Sequence, residues 1–362
     1  MSLKAGIVGL PNVGKSTLFN TLGSAKADAA NYPFCTIEPN ISIVTVPDSR
    51  LEEIAVIGKS QKVIHAMTEV VDIAGIVKGA SKGEGLGNKF LNHIREVDAI
   101  VHLVRCFIND DIVHVDGKVN PANDIEVIQT ELLLADLQSL DKQLDKQRRV
   151  AKVGDKEAQK NTEVFEALKK HMDQGLPARS FATTPSDAAR IATLFLLTAK
   201  PVLYVANTSS KDVELPYVEV VRQVAEKEKA AFLVMDGSLE AQIAELPPED
   251  RSEFLQEMGL DEPGLNRFIR TVFKLLGLGT YYTLGPKEAR AWTIPNGVKA
   301  PQAAGVIHSD FERGFICAEC YKSDDLVRLG SEAKIKEAGL YRQEGKEYVV
   351  QSGDVLLFRF NV

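Results

Sequence analysis

Gly9-Leu10-Pro11-Asn12-Val13-Gly14-Lys15-Ser16 spells the complete pattern G-x-x-x-x-G-K-S directly after the apolar run Ala5 to Val8. A chain with this pattern in this place has few architectures open to it: the apolar run reads as a buried strand, the glycines as a tight loop, and Lys15 onward as a helix. Gly9 and Gly14 are expected to take φ values closed to other residues, so that successive backbone N–H groups turn toward one anion. Lys15 is placed to reach the β- and γ-phosphates and Ser16 to offer its hydroxyl to Mg2+, while the helix N-terminus adds its positive dipole end. Asn12, Val13, Gly14, Lys15, Ser16 and Thr17 are therefore the first nucleotide-binding candidates.

The 362 residues exceed one ordinary core and predict two or three domains. With 43 Lys and Arg against 50 Asp and Glu, the net charge of -7 argues against general nucleic-acid coating, and no DNA partner is expected; a local basic face remains open. Lys4 and the glycine-rich loop interrupt any opening apolar stretch, and no run of about 18 apolar residues is present. A cytoplasmic protein without membrane contact is the expectation. Cys317-Ala318-Glu319-Cys320 lacks the second ligand pair of a structural zinc site and reads as paired positions on a strand.

Strand and helix signals alternate over residues 1 to about 120: Lys4 to Gly9, a helix from Lys15, Ile41 to Val46, Thr68 to Asp72, a helix near Asn88 to Val97, and Ala99 to Cys106. They resume at the strand Pro201 to Asn207, the helix Val218 to Lys229 and the strand Ala230 to Met235. This predicts a parallel sheet with helices on both faces, interrupted by an insertion over 123–200. Ile125, Ile128, Leu132, Ala135, Leu140 and Leu144 form one helical stripe; Gly154-Asp155 breaks it, and Ala158, Phe165 and Leu168 return, which makes an antiparallel hairpin. Its outer positions carry Lys142, Lys146, Arg148, Arg149, Lys152, Lys156 and Lys160, either an RNA-phosphate contact or a solvated tip. After a helix around Leu265 to Leu276, Gly- and Pro-containing β-rich segments (Ala291 to Ile294, Phe315 to Cys320, Tyr348 to Val350, Val355 to Phe360) predict a small separate domain.

Asp72-Ile73-Ala74-Gly75 follows the strand Glu69-Val70-Val71, a D-x-x-G pattern in which Asp72 holds Mg2+ through water and the Gly75 N–H meets the γ-phosphate. Thr36 lies between the two motifs, where a loop could bring a second hydroxyl to the metal. Ile76 stands where Ras-like GTPases place a water-orienting Gln, so intrinsic turnover is expected to be slow. The run Lys78 to Gly87 reads as a switch segment. The strand ending at Asn207 continues Thr208-Ser209-Ser210 instead of the guanine-reading N-K-x-D. Losing two charge-assisted bonds of about 1.5–3 kcal/mol each removes roughly 10² to 10⁴ of guanine preference.

These residues resemble the YchF-type Obg-like ATPases over essentially the whole chain: Gly9 to Asn20, Asn31 to Asn40, Asp72-Ile73-Ala74-Gly75 through Asn88, Arg105-Cys106-Phe107 and Asp354 to Val362. The resemblance implies an α/β fold with a Ras-like P-loop NTPase domain (1–122 and 201–277), an α-helical hairpin insertion (123–200) and a C-terminal β-grasp-like TGS domain (278–362). It implies Mg2+-aided ATP hydrolysis, with Lys15, Gly75 and His114 in catalytic positions and Ser16, Thr36 and Asp72 at the metal. It implies association with the ribosome or ribosomal RNA. His114 matches a histidine proposed to assist hydrolysis in the family; a surface loop histidine is the other reading. Ser210 replaces the Glu usual in the family, so Asn207 and the backbone at Thr208 are left to hold adenine. A modest ATP preference is predicted, with a GTP-binding or dual-specificity switch as the alternative.

Overall fold

The computed structural model describes residues 3–23, 40–73, 86–109, 111–112, 114, 117–209 and 215–361. Thr36, Gly75, Ile76, Ser210 and most of the run 78–87 lie outside them. The chain begins β1 (Lys4–Val8), α1 (Lys15–Leu22), β2 (Ile41–Thr45), α2 (Ser49–Ile57), β3 (Lys62–Ile64), β4 (Met67–Asp72), α3 (Leu86–Glu96) and β5 (Ala99–Arg105). It continues α4 (Pro121–Ala151), α5 (Lys156–Met172), α6 (Pro185–Ala192), β6 (Val202–Asn207), α7 (Leu215–Glu228), β7 (Ala231–Met235), α8 (Gly237–Glu245), α9 (Pro248–Glu257) and α10 (Gly264–Leu275). The C-terminal part holds β8 (Leu278–Leu284), β9 (Glu288–Pro295), α11 (Ala300–Ile307), α12 (Ser309–Arg313), β10 (Phe315–Lys322), α13 (Ser323–Leu329), α14 (Glu332–Glu337), β11 (Arg342–Glu344) and β12 (Asp354–Phe360). Two compact units result, one dominated by residues 70–265, the other by 43–69 with 266–361.

The first unit is built on a sheet ordered β2-β4-β1-β5-β6-β7. Every residue of β5 and β6 is buried, which is why both read as unbroken apolar runs: helices cover both faces. β1 pairs β5, β5 pairs β6 and β6 pairs β7 in parallel. Parallel pairing carries the ends of all four strands to one edge, where ligands of such sheets bind.

The insertion is the hairpin its stripe predicts. Asn120 caps α4 by accepting from the Asn123 N–H, and Pro121 supplies a preset φ at the first turn. Gly154 turns the chain at φ 91, and Asp155 caps α5 through the Ala158 N–H. Leu140, Leu144, Phe165, Leu168 and Met172 fill the seam between the helices, joined by Ile191 and Leu196. Asp136 on α4 accepts from the Leu197 N–H, the Thr198 N–H and the Thr198 hydroxyl at 2.7–2.8 Å, which fixes the returning chain, while burial pushes its carboxyl pKa up. Lys200 closes the insertion by donating to the carbonyls of Ile94, Arg95 and Val97 at the end of α3.

The second unit carries a sheet ordered β11-β10-β12-β8-β9-β3. Its core packs Tyr281, Ile294, Ala300, Ala303, Phe315 and Phe358, with the Tyr281 hydroxyl donating to the Ala303 carbonyl. Cys317 and Cys320 sit on β10 opposite Arg359 and Leu356. The expected strand at Tyr348 to Val350 reduces to one bridge, Lys299 to Val349, and the region contains four short helices that the sequence reading did not predict. Helices of 5–8 residues complete about two turns at most and leave no periodic stripe to read. α2 and β3 were likewise not anticipated, and β3 pairs in parallel with β9.

Candidate nucleotide-binding site

The phosphate loop joins β1 to α1, and its two glycines serve different ends. Gly14 has φ 99 and is the left-handed N-cap of α1; a Cβ there would run into Asn207 Nδ2. Gly9 is not in the left-handed region, which corrects the sequence expectation. A Cβ on it would lie 2.6 Å from the Leu103 carbonyl oxygen and 2.9 Å from Val13 Cγ2, so this glycine lets the loop run against β5. Asn12 takes the second positive φ of the loop, 61.

Lys15 folds over its own loop, its Nζ donating to the carbonyls of Gly9 (2.9 Å) and Leu10 (2.8 Å). Burial lowers its pKa, with the Asp72 carboxylate pulling the other way. Burial raises the pKa of Asp72, opposed by Lys15. Asp72 Oδ1 is buried and accepts no hydrogen bond from the described residues. A buried carboxylate oxygen with no donor beside a half-desolvated cation is a charge arrangement that a ligand can complete.

A cavity of about 590 Å³ opens beside the loop, within the range of small-molecule sites. Asn12, Gly14, Lys15, Ser16 and Thr17 form one end. Phe107, Ile108, Asn109 and Ile112 after β5, Asn207, Thr208 and Ser209 after β6, and Asp236, Gly237 and Ser238 after β7 form the other. Asn207 joins the ends: its Nδ2 donates to the Val13 carbonyl at 2.8 Å and its Oδ1 accepts from the Gly237 N–H at 3.0 Å. Asp236 Oδ1 accepts from the Ser238 and Leu239 N–H groups, capping α8. Arg105, almost wholly buried, donates to the carbonyls of Phe107 (3.3 Å), Asn109 (3.1 Å) and Ile112 (3.0 Å), and its guanidinium lies 4.5 Å from the Phe107 ring centre. One side chain thus shapes the first of the three loops that form this end of the cavity.

Of the sequence candidates, Asn12, Gly14, Lys15, Ser16, Thr17, Asn207 and Thr208 line the cavity. Val13 is buried and takes part through its carbonyl. Asp72 meets Lys15 electrostatically. His114 is buried, its Nε2 3.1 Å from Asp124 Oδ2 in the first turn of α4, and is not among the lining residues. Thr36 and Gly75 fall outside the described residues. Sequence reasoning singled out Arg105-Cys106-Phe107 only as a motif of the resemblance, without a role, and missed Ile108, Asn109, Ile112 and Asp236 to Ser238; their available signal was position, immediately after strands already identified.

A phosphate loop between the first strand and helix, with the opposite wall built from loops after three further parallel strands, defines a P-loop nucleoside triphosphatase. Residues 4–170 match the family described as 50S ribosome-binding GTPase, and residues 278–361 match YchF-GTPase_C, described as a protein of unknown function. Proteins named ribosome-binding ATPase YchF from Escherichia coli and Bacillus subtilis are 53% and 52% identical to this chain, with all of each chain covered. The YchF GTPase structure from Schizosaccharomyces pombe superposes with a TM-score of 0.89 at 36% identity, covering 99% of this chain and 98% of that one. The chain belongs to the YchF family, with the Ras-like P-loop domain, helical hairpin insertion and C-terminal β-grasp-like TGS domain of that fold.

Proposed function

We propose that this protein is a cytoplasmic, Mg2+-dependent ATPase that hydrolyses the β–γ phosphoanhydride slowly and whose nucleotide state gates ribosome binding. The observation that carries the reading is the make-up of the cavity: a phosphate loop at one end, and at the other a wall of apolar side chains and neutral amides. Asp236, the one carboxylate lining it among the described residues, caps α8 with Oδ1. Such a wall offers a purine stacking surface and amide hydrogen bonds without the acidic clamp that selects guanine. The curated relatives, named ribosome-binding ATPases, support the same reading.

In this reading Lys15 leaves the Gly9 and Leu10 carbonyls for the β- and γ-phosphates, and the loop N–H groups take the remaining phosphate oxygens. Ser16, Thr36 and Asp72 are the Mg2+ residues; the orphaned Asp72 Oδ1 and the exposed Ser16 hydroxyl are the hard oxygen donors that this ion takes. Mg2+ bound there neutralises charge on the phosphates. Gly75 offers its N–H to the γ-phosphate. Asn207 and Thr208 position the base-side wall. For His114 to orient water, its ring, held at Nε2 against Asp124 and not among the lining residues, has to come to the cavity. The accompanying division is 1–122 with 201–277 for the nucleotide domain, 123–200 for the hairpin and 278–362 for the TGS domain.

Parallel calorimetric titrations with ATP and GTP in Mg2+ test the reading, with ATP expected to bind several-fold more tightly. Equal or tighter GTP binding replaces it with the GTPase or dual-specificity switch, the reading in keeping with the names of the matching GTPase family and of the S. pombe YchF GTPase. Co-sedimentation with ribosomes in ATP, ADP and nucleotide-free buffer tests the gate; binding indifferent to all three removes it.

A further inference from the structure

Phe195 sits in the wrong place for a phenylalanine. Its φ is 49, a left-handed conformation that strains any residue with a Cβ, and its ring is 83% exposed. Two residues past the C-cap of α6, such a position ordinarily holds glycine or asparagine. The fold gains little from this ring, while its neighbours are anchored: Leu196 on one side is part of the insertion core, and Leu194 on the other packs against it.

Basic residues lie further along the insertion, toward the hairpin tip. Residues 141–160 contain seven Lys or Arg and four Asp or Glu, in a chain whose net charge is -7. Arg190 of α6 bonds Glu157 and Asn161 of α5, each at 2.7 Å, which places α6 on the stretch of α5 that carries Lys156 and Lys160, both exposed. From Arg190 the chain stays in tight turns, Thr193 N–H to Arg190 O, Leu194 to Ile191 and Phe195 to Ala192. At about 2 Å of rise per residue, Phe195 lies roughly 10 Å from Arg190.

We infer that Phe195 and the lysines toward the hairpin tip form a docking surface for RNA that carries an unstacked base, the ring stacking on the base and Lys160, Lys156 and Lys152, successively further along the hairpin, meeting phosphates along the same strand. This rests on the ribosome reading and names its contact surface. An exposed aromatic ring with exposed lysines further along the same insertion is an arrangement single-stranded RNA recognition uses, whereas lysines are depleted from protein–protein contacts. Retaining a strained, water-exposed ring is understandable where its return comes on binding.

The experiment uses the full-length protein and its Phe195→Asn, Phe195→Leu, Phe195→Trp and Lys156→Glu/Lys160→Glu variants. Binding to a fluorescein-labelled ten-nucleotide oligoadenylate is followed by anisotropy at low and moderate salt, ribosome binding by co-sedimentation, and folding by thermal melting. Phe195→Asn should melt at the wild-type temperature or up to about 3 °C higher and bind the oligonucleotide about tenfold more weakly. Phe195→Trp should keep affinity, Phe195→Leu should lose it, and the double lysine variant should weaken binding and flatten its salt dependence. Full affinity in Phe195→Asn, retention in Phe195→Leu as an apolar protein pocket would allow, a markedly lower melting temperature in Phe195→Asn, or no oligonucleotide binding by the wild type would each overturn the inference. Wild-type co-sedimentation reports on the ribosome reading separately, because a protein that binds ribosomes equally with and without the Phe195 ring keeps that reading and loses only this surface.

Discussion

Strands β5 and β6 serve two polar regions at once, and the two are finished differently. At their C-terminal ends, Asn207 lines a cavity beside Lys15, which rests on its own loop carbonyls, and Arg105 holds the loop of one wall; near Lys15, Asp72 Oδ1 accepts from no donor among the described residues. In their middle, His102 and Tyr204 meet a network in which Arg179 contacts Glu228, the Tyr204 hydroxyl donates to Glu228 at 2.9 Å, and Gln129 bonds both Tyr204 (2.7 Å) and Glu228 (2.6 Å). The first region is electrostatically incomplete, and the second supplies its own countercharge. Incomplete charge makes a ligand site; complete charge makes a joint, here between α4, the turn at 178–180, β6 and α7.

The contrast breaks most visibly at Lys15. Lys15→Ala should lower ATP turnover by at least about 10³-fold in a phosphate-release assay, while the melting temperature holds or rises because a half-buried cation has been removed. A large loss of stability would mean that Lys15 is part of the scaffold. Glu228→Ala should do the reverse, leaving Arg179 buried without its partner and costing about 3 kcal/mol in urea unfolding, with nucleotide affinity changed little. Unchanged stability there would abolish the distinction between joint and site.

The smallest effect is one of pH. His102 is buried, and its pKa is pushed down to about 3 by burial, with the Arg179 and Lys15 charges adding to the effect. The folded state therefore keeps it neutral between pH 3 and its ordinary 6.5, while the unfolded chain takes up a proton. No penalty exists above pH 6.5; below it stability should fall by up to about 1.4 kcal/mol per pH unit. His102→Asn should flatten the pH dependence of the urea midpoint between pH 6.5 and 5, and an identical slope in both proteins would count against a buried neutral imidazole.

What the sequence disclosed follows the same divide. The phosphate loop and the strand before Asp72 are contiguous, so spacing alone revealed them. The hairpin was legible because α4 repeats its stripe many times and Gly154-Asp155 stops it unambiguously. The wall opposite the phosphate loop is assembled from three loops, the first about a hundred residues before the second and the third about thirty after it, and nothing in Phe107 to Ile112 or Asp236 to Ser238 announces that they converge. Gly9 was recognised as necessary for a reason that proved incorrect, because its constraint comes from the Leu103 carbonyl, a neighbour that only tertiary structure supplies. The C-terminal helices escaped through brevity, and the Tyr348 to Val350 segment, apolar enough for a strand, found a single bridge in place of a ladder.

The bridge formed by Asn207 reaches beyond the ligand itself. A single carboxamide spans from the Val13 carbonyl to the Gly237 N–H, so it sets the gauge between the phosphate loop and the wall built after β6 and β7. Substitutions on that wall that leave Asn207 in place should therefore change what the far end of the cavity accepts without moving the phosphate loop.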